Sequence, residues 1–106
     1  MKLIPLQPIP NQSFTSNIGG FRYDFAIKTI QPGVMAYDLS IDQAPVVQGF
    51  RIENGALLLP YIHMEKGGNF IFLIPDDQTA DYQQFGSSQN LYYLSAEELS
   101  GLRNGN

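Results

Sequence analysis

Cysteine is missing from all 106 residues. That excludes a disulfide framework, a thiolate metal site and a cysteine nucleophile. Charge is scarce as well. Charged side chains make up 15% of the chain, where an average soluble domain carries about a quarter. Six basic residues against ten acidic ones leave a net charge of −4. A chain of that balance lacks the basic footprint that grips a nucleic-acid backbone or an anionic membrane. No apolar window reaches the length of a membrane span. The opening Met1-Lys2-Leu3-Ile4-Pro5-Leu6 is broken by Pro5, Pro8 and Pro10 and meets no small-residue cleavage site, so it does not read as a signal peptide. Synthesis and use in a cytoplasm are expected.

Chemistry-bearing residues are sparse too. His63 is the single histidine. A general base needs an orienting partner, and nothing in the sequence fixes a carboxylate beside it. Asp76, Asp77 and Asp81 share a stretch without following the spacing of a calcium loop. Gly67-Gly68 lacks the lysine and the strand-to-helix setting of a phosphate loop. No nucleophile, base and orienting group emerge together. The expectation is therefore a protein that is not an enzyme, with no catalytic, cofactor or metal site.

What the chain does have is period-two alternation. Phe21, Tyr23, Phe25, Ile27 and Thr29 alternate with Arg22, Asp24, Ala26 and Lys28. After Gln31-Pro32-Gly33 the pattern resumes with Met35, Tyr37, Leu39 and Ile41 against Ala36, Asp38 and Ser40. Side chains of a strand point to opposite faces in turn, so each run is a half-buried strand. Pro32 presets φ and Gly33 supplies positive φ, which suits a type II turn, a poor match to strand twist that invites a bulge. Gly19-Gly20 joins this hairpin to a preceding strand over Gln12 to Ile18. Val46 to Glu53 reads as a further strand with a bulge at Gly49, closed by the Asn54-Gly55 turn.

Ala56 to Met64 is apolar on both faces up to Pro60, so this strand reads as deep or interfacial, with an edge position or a break at Pro60, and Asn69 to Ile74 is a second two-sided apolar strand. Pro75 to Gln89 is polar and irregular, and Leu91 to Leu94 is a last strand. Ser95 with Glu98 forms a capping box, and Leu94 with Leu99 a hydrophobic staple, so a helix of about two turns follows. Several short strands with turns between them indicate an all-β domain over residues 1–106, an antiparallel β sandwich or small barrel with one short C-terminal helix. Residues 1–11 read as a proline-rich arm, extended or edge-strand in conformation.

Several segments in this order resemble a family. They are Leu3-Ile4-Pro5-Leu6, Arg22-Tyr23-Asp24, Leu59-Pro60-Tyr61 and Gly67-Gly68-Asn69-Phe70-Ile71-Phe72. Asp81-Tyr82, Phe85-Gly86 and Leu91-Tyr92-Tyr93-Leu94-Ser95-Ala96-Glu97-Glu98-Leu99 complete the set. Together they resemble the baseplate plug proteins of contractile-tailed phages, the cyanophage type of central plug. The resemblance spans nearly the whole chain, and its motifs are structural. It implies a virion part, made in the host cytoplasm and assembled into the tail baseplate, that closes the central tube until contraction. It implies hub, spike and tube-end partners, and self-association about a three-fold axis, because hub and spike assemblies of such phages are three-fold. No specific nucleic-acid or membrane contact is expected. The residues offered as partner contacts are Ile4, Leu6 and Ile9 of the arm and Tyr82 and Phe85 of the irregular loop. The alternative function is a small ligand-binding β barrel, with Phe70, Phe72 and Tyr61 lining an apolar pocket, or an adaptor.

Overall fold

The computed structural model describes residues 1–104. The alternating stretches pair as β3 (Phe21–Gln31) and β4 (Val34–Ile41), antiparallel across the Pro32-Gly33 turn. Tyr23, Phe25, Ile27, Met35, Tyr37, Leu39 and Ile41 are all buried. The register sets Tyr23 opposite Ile41 and Phe25 opposite Leu39, so they share one face. Gly33 holds the turn at φ +79°. The mismatch between this turn and strand twist meets a bulge one step back. Register shifts between Thr29 and Gln31, and Ile30 is left 61% exposed.

β2 (Gln12–Ile18) precedes this hairpin and β5 (Ala44–Arg51) follows it, giving a sheet in the order β2-β3-β4-β5. The turn into β5 is Asp42-Gln43, two non-glycine residues at φ 50° and 71°. Aspartate tolerates that region, and here it is locked. The Asp42 carboxylate accepts from the Arg22 amide at 2.9 Å, and the Asp42 amide donates to the Arg22 carbonyl at 2.8 Å. β5 therefore begins two residues before the expected Val46 and ends at Arg51. Its bulge falls at Gly49, φ +69°, whose amide donates to the Asp38 carboxylate at 2.7 Å.

The second sheet has the order β1-β7-β6, from β1 (Lys2–Ile4), β7 (Asn90–Ser95) and β6 (Gly68–Leu73). The arm is thus tied at its root, because Lys2 to Ile4 pairs antiparallel with Leu91 to Tyr93. α1 (Ala96–Arg103) leaves β7 through the expected capping box, with Ser95 and Glu98 bonded reciprocally and Leu94 and Leu99 both buried.

Ala56 to Met64 does not form the expected strand. Leu57 makes an isolated bridge to Ile71, Leu58 and Leu59 are buried, and the chain then bends at Pro60 into a 3-10 turn, Ile62–Met64. Proline cannot donate to a ladder, so the two leucines enter the core as side chains without a continuous strand behind them.

The two sheets face each other across one aromatic layer. The Phe70 ring sits 4.8 Å from Tyr23 and 4.9 Å from Phe25, both edge-on, and 5.3 Å from Tyr93. Phe72 stacks on Phe85 at 6.2 Å. Phe70 and Phe72 therefore fill the interior instead of lining a pocket, and Tyr61 lies outside it, 60% exposed.

Two buried tyrosines differ in what their hydroxyls meet. Tyr37 donates to the Leu58 carbonyl at 2.7 Å. The Tyr23 hydroxyl meets no hydrogen-bond partner among the described residues. Burial pushes both phenols up to about 12. Tyr37→Phe is expected to cost about 1 kcal/mol, and Tyr23→Phe to be neutral or stabilising, because only the first leaves a buried carbonyl without its donor. Urea unfolding of the two variants beside the parent chain checks the contrast, and equal losses would contradict it.

Candidate interaction surface

Two irregular segments, 57–66 and 75–89, border the smaller sheet, and each is fastened by one buried amide. Asn69 on β6 has no solvent exposure. Its Oδ1 accepts from the Leu59 amide at 2.9 Å, and its Nδ2 donates to the Leu59 carbonyl at 2.8 Å. The side chain thus supplies the ladder pair that the 57–66 segment lacks. Its Nδ2 also reaches Glu65 at 2.6 Å, and Glu65 holds Arg103 of α1 at 2.9 Å. The Arg103 guanidinium, with Asn69 behind it, holds the Glu65 carboxyl below its ordinary value of 4.5. So fastened, the segment turns Tyr61 and Ile62 outward, 60% and 68% exposed, with Tyr61 stacked on His63 at 5.8 Å.

Gln89 does the same for the 75–89 loop. It is fully buried. Its Oε1 accepts from the Asp81 amide at 2.9 Å, and its Nε2 donates to the Thr79 carbonyl at 2.8 Å and to Gln78 at 3.1 Å. Asp81 caps the 3-10 turn Tyr82–Gln84 by accepting from the Gln83 amide at 2.9 Å. That carboxylate is thereby committed to the loop's own backbone. Asp76 accepts from Asn54 at 3.5 Å. Among the described residues His63 has no ion pair or hydrogen bond to a carboxylate, so the structure does not assemble the acid–base set that catalysis by His63 requires.

The five residues offered from the sequence divide. Ile4 and Phe85 are core residues, each 4% exposed. Pairing of β1 with β7 draws Ile4 inward, and the Phe72 ring holds Phe85 there. Leu6 and Tyr82 are half-buried and pack against the core edge. Ile9 is exposed. The arm and the loop do meet, because the Leu6 carbonyl lies over Gly86, where an added methyl would sit 3.6 Å from the oxygen. Beyond Leu6 the arm is pinned by side chains. Gln12 bonds Gln7 in both directions, at 2.7 and 3.2 Å, and Thr29 donates to the Pro10 carbonyl at 2.8 Å. The result is a recess of about 430 Å³ with Leu6, Ile9 and Phe14 in its walls.

Sequence reasoning missed the exposure of Ile62 and of Leu102, which is 61% exposed near the end of α1. It also missed both fastening amides. The one available signal was Asn69 opening an otherwise apolar strand.

A protein-family model described as "Cyanophage baseplate Pam3 plug gp18" matches residues 1–97 of the chain. No curated protein matches it.

Asn69→Leu leaves the Leu59 amide and carbonyl buried without partners. It is expected to cost about 2–4 kcal/mol in urea unfolding, with the loss concentrated in faster amide exchange over residues 57–66. Glu65 sets a pH dependence of definite sign. Its folded value is depressed, so its contribution is in place above the ordinary value of 4.5 and is lost as pH falls through the lowered one. Melting temperature followed from about pH 6 to about pH 3 should therefore drop less steeply for Arg103→Met than for the parent. Identical acid limbs would show that the ion pair contributes nothing.

Proposed function

This chain belongs to the cyanophage baseplate plug family, and from that premise we propose that it closes the central lumen of a phage tail baseplate until contraction displaces it. Membership makes it a structural component of the baseplate, a viral tail protein that works among other baseplate components. The finer reading is ours. Its neighbours are the hub, the spike and the end of the tail tube. Three copies surround the axis, in keeping with three-fold hub and spike assemblies. The chain is made in the host cytoplasm, binds neither nucleic acid specifically nor membrane, and performs no catalytic step.

The observation that carries the plugging role is the filled interior. Phe70 and Phe72 have no solvent exposure; Phe70 packs against rings from both sheets, Tyr23, Phe25 and Tyr93, and Phe72 stacks on Phe85 of the loop. Interiors packed in this way have low compressibility. A wedge of this kind resists load without storing a ligand. A net charge of −4 also favours keeping a DNA backbone off the plug surface over gripping it. Little supports the ligand-binding alternative, since Phe70 and Phe72 fill the interior that a ligand would need and Tyr61, the third ring of that pocket, lies outside it.

Contact with neighbours is assigned to the exposed end of the arm and the adjoining loop, through Ile9, Leu6 and Tyr82. The double variant Ile9→Asp, Tyr82→Ala is expected to melt within a few degrees of the parent and to enter purified tails at a level reduced roughly tenfold, a loss of about 1.4 kcal/mol. Quantitative mass spectrometry of the tails reads that level, and parent-like incorporation removes the assignment. A symmetry-relaxed reconstruction of the baseplate should show three copies on the axis, and one copy or six would refute the three-fold arrangement.

A further inference from the structure

The sandwich has four sheet edges, and three of them are blunted. β1 is three residues long. β5 carries Pro45, exposed Arg51 and register shifts on both sides of Leu39. β6 is covered by the 55–58 segment, whose Gly55 and Leu58 amides donate to the Phe72 and Phe70 carbonyls, each at 2.9 Å. Short strands, bulges, proline, charge and covering segments are the usual ways in which an edge is kept from pairing. Among the described residues β2 has none of them. It runs seven residues, Gln-Ser-Phe-Thr-Ser-Asn-Ile, in unbroken register with β3 and without a charged side chain.

The open backbone groups of β2 follow from its turn. A two-residue connection makes its flanking residues, Ile18 and Phe21, a hydrogen-bonded pair. Alternation then turns Ser16, Phe14 and Gln12 toward β3, and leaves the amides and carbonyls of Asn17, Thr15 and Ser13 pointing away. Those three are the exposed residues of the strand. At its N-terminal end the edge runs into the recess walled by Leu6, Ile9 and Phe14. An unpaired row of backbone groups beside a side-chain pocket is the arrangement by which sheets accept an added strand. The backbone bonds supply affinity and the pocket supplies selectivity.

We propose that β2 receives an extended, uncharged segment of a neighbouring baseplate subunit as a fifth strand, with an apolar side chain of that segment seated between Leu6, Ile9 and Phe14. The proposal rests on the baseplate reading above for the identity of the neighbour. A second copy of this chain fits less well. Two β2 strands paired antiparallel about Thr15 would set Ile18 of one opposite Gln12 of the other, and bring Gly19-Gly20 against the recess, whose walls join Leu6, Ile9 and Phe14 to Gln7, Asn11 and Gln12. Glycines would leave that recess unfilled. The absence of charge along β2 specifies an equally uncharged occupant, since a charged side chain laid there would lose hydration without gaining a counter-ion.

Hydrogen exchange of the chain alone and within purified baseplates tests this. The Ser13, Thr15 and Asn17 amides should exchange freely in the isolated chain and at least a hundredfold more slowly in the baseplate. Ser13→Pro and Asn17→Pro each delete one outward donor at an edge, where proline is tolerated. Both should melt within a few degrees of the parent and fall roughly tenfold in baseplate content. A reconstruction should show a strand of another subunit beside β2. Unprotected amides in the baseplate, parent-like content of both proline variants, or a fifth strand supplied by a second copy would overturn the proposal while leaving the baseplate role standing. Absence of the chain from purified tails would overturn both.

Discussion

Everything in this molecule depends on the contact of the Phe70 ring with Tyr23 and Phe25. The two sheets are separate hydrogen-bonded units, β2-β3-β4-β5 and β1-β7-β6. Side-chain packing is what holds one on the other. Phe70 projects from the smaller sheet between two rings of the larger, at 4.8 and 4.9 Å, both edge-on. Edge-to-face geometry sets the positive rim of one ring against the negative face of the next and adds about 0.5–1.5 kcal/mol per pair beyond area burial. It also fixes the sheet spacing, since a ring on edge tolerates little sliding. Tyr93 closes the cluster at 5.3 Å from the next strand of the smaller sheet. β1 and α1 are held through β7, by pairing and by direct succession, so their placement follows from that spacing.

With the sheets fixed, the irregular segments need another source of order. Two buried amides supply it. Asn69 and Gln89 stand at the ends of the strands that border the irregular segments, and each bonds the neighbouring backbone as a strand residue would. A primary amide carries both donor and acceptor, so one side chain can satisfy a buried N–H and a buried C=O together. This is how the 57–66 and 75–89 segments stay fixed while exposing Tyr61 and Ile62 to the outside. The low charge of the chain fits the same economy, because amides orient loops at less desolvation cost than ions do.

The strands were legible where local chemistry and tertiary burial agree. Alternation over 21–41, the Gly19-Gly20 turn, the bulge at Gly49 and the capping box of Ser95 and Glu98 each depend on neighbours within a few residues. Expectations failed where the partner is distant. Leu57 to Leu59 are apolar enough for a strand, yet Asn69, ten residues on, takes the ladder's place. Phe85 read as a surface aromatic in a polar loop, and its inward turn depends on Phe72 across the fold. The start of β5 was expected two residues late, at Val46, because the Asp42-Gln43 turn contains no glycine to announce positive φ and the lock that permits so tight a turn comes from Arg22 on another strand. Half of the candidate surface suffered the same way. Ile9 and the arm were visible as an irregular apolar segment, whereas the fastening of that segment by Gln12 and Thr29 required the fold.

The interior of the chain and the surface it presents are therefore built from different materials. Inside, rings and branched side chains pack at close range, and separating them exposes apolar area at about 25 cal/mol per Å². Outside, the exposed apolar side chains are mostly scattered, as Ile9, Ile30, Phe50 and Leu102 are, and the ion pairs Arg22–Asp24 and Lys28–Asp38 lie within this chain's own outer face at 3.1 and 3.2 Å. Exposed pairs of that kind contribute little to stability. They do satisfy the charges locally, so a neighbour pressed on that face finds few unpaired ions to bind. On the proposed role this asymmetry has a mechanical consequence. A force applied to a plug is resisted by the weakest junction in its path. On that proposal the junction to yield would be the boundary with the neighbours and not the aromatic layer, and displacement would remove the plug as a folded unit.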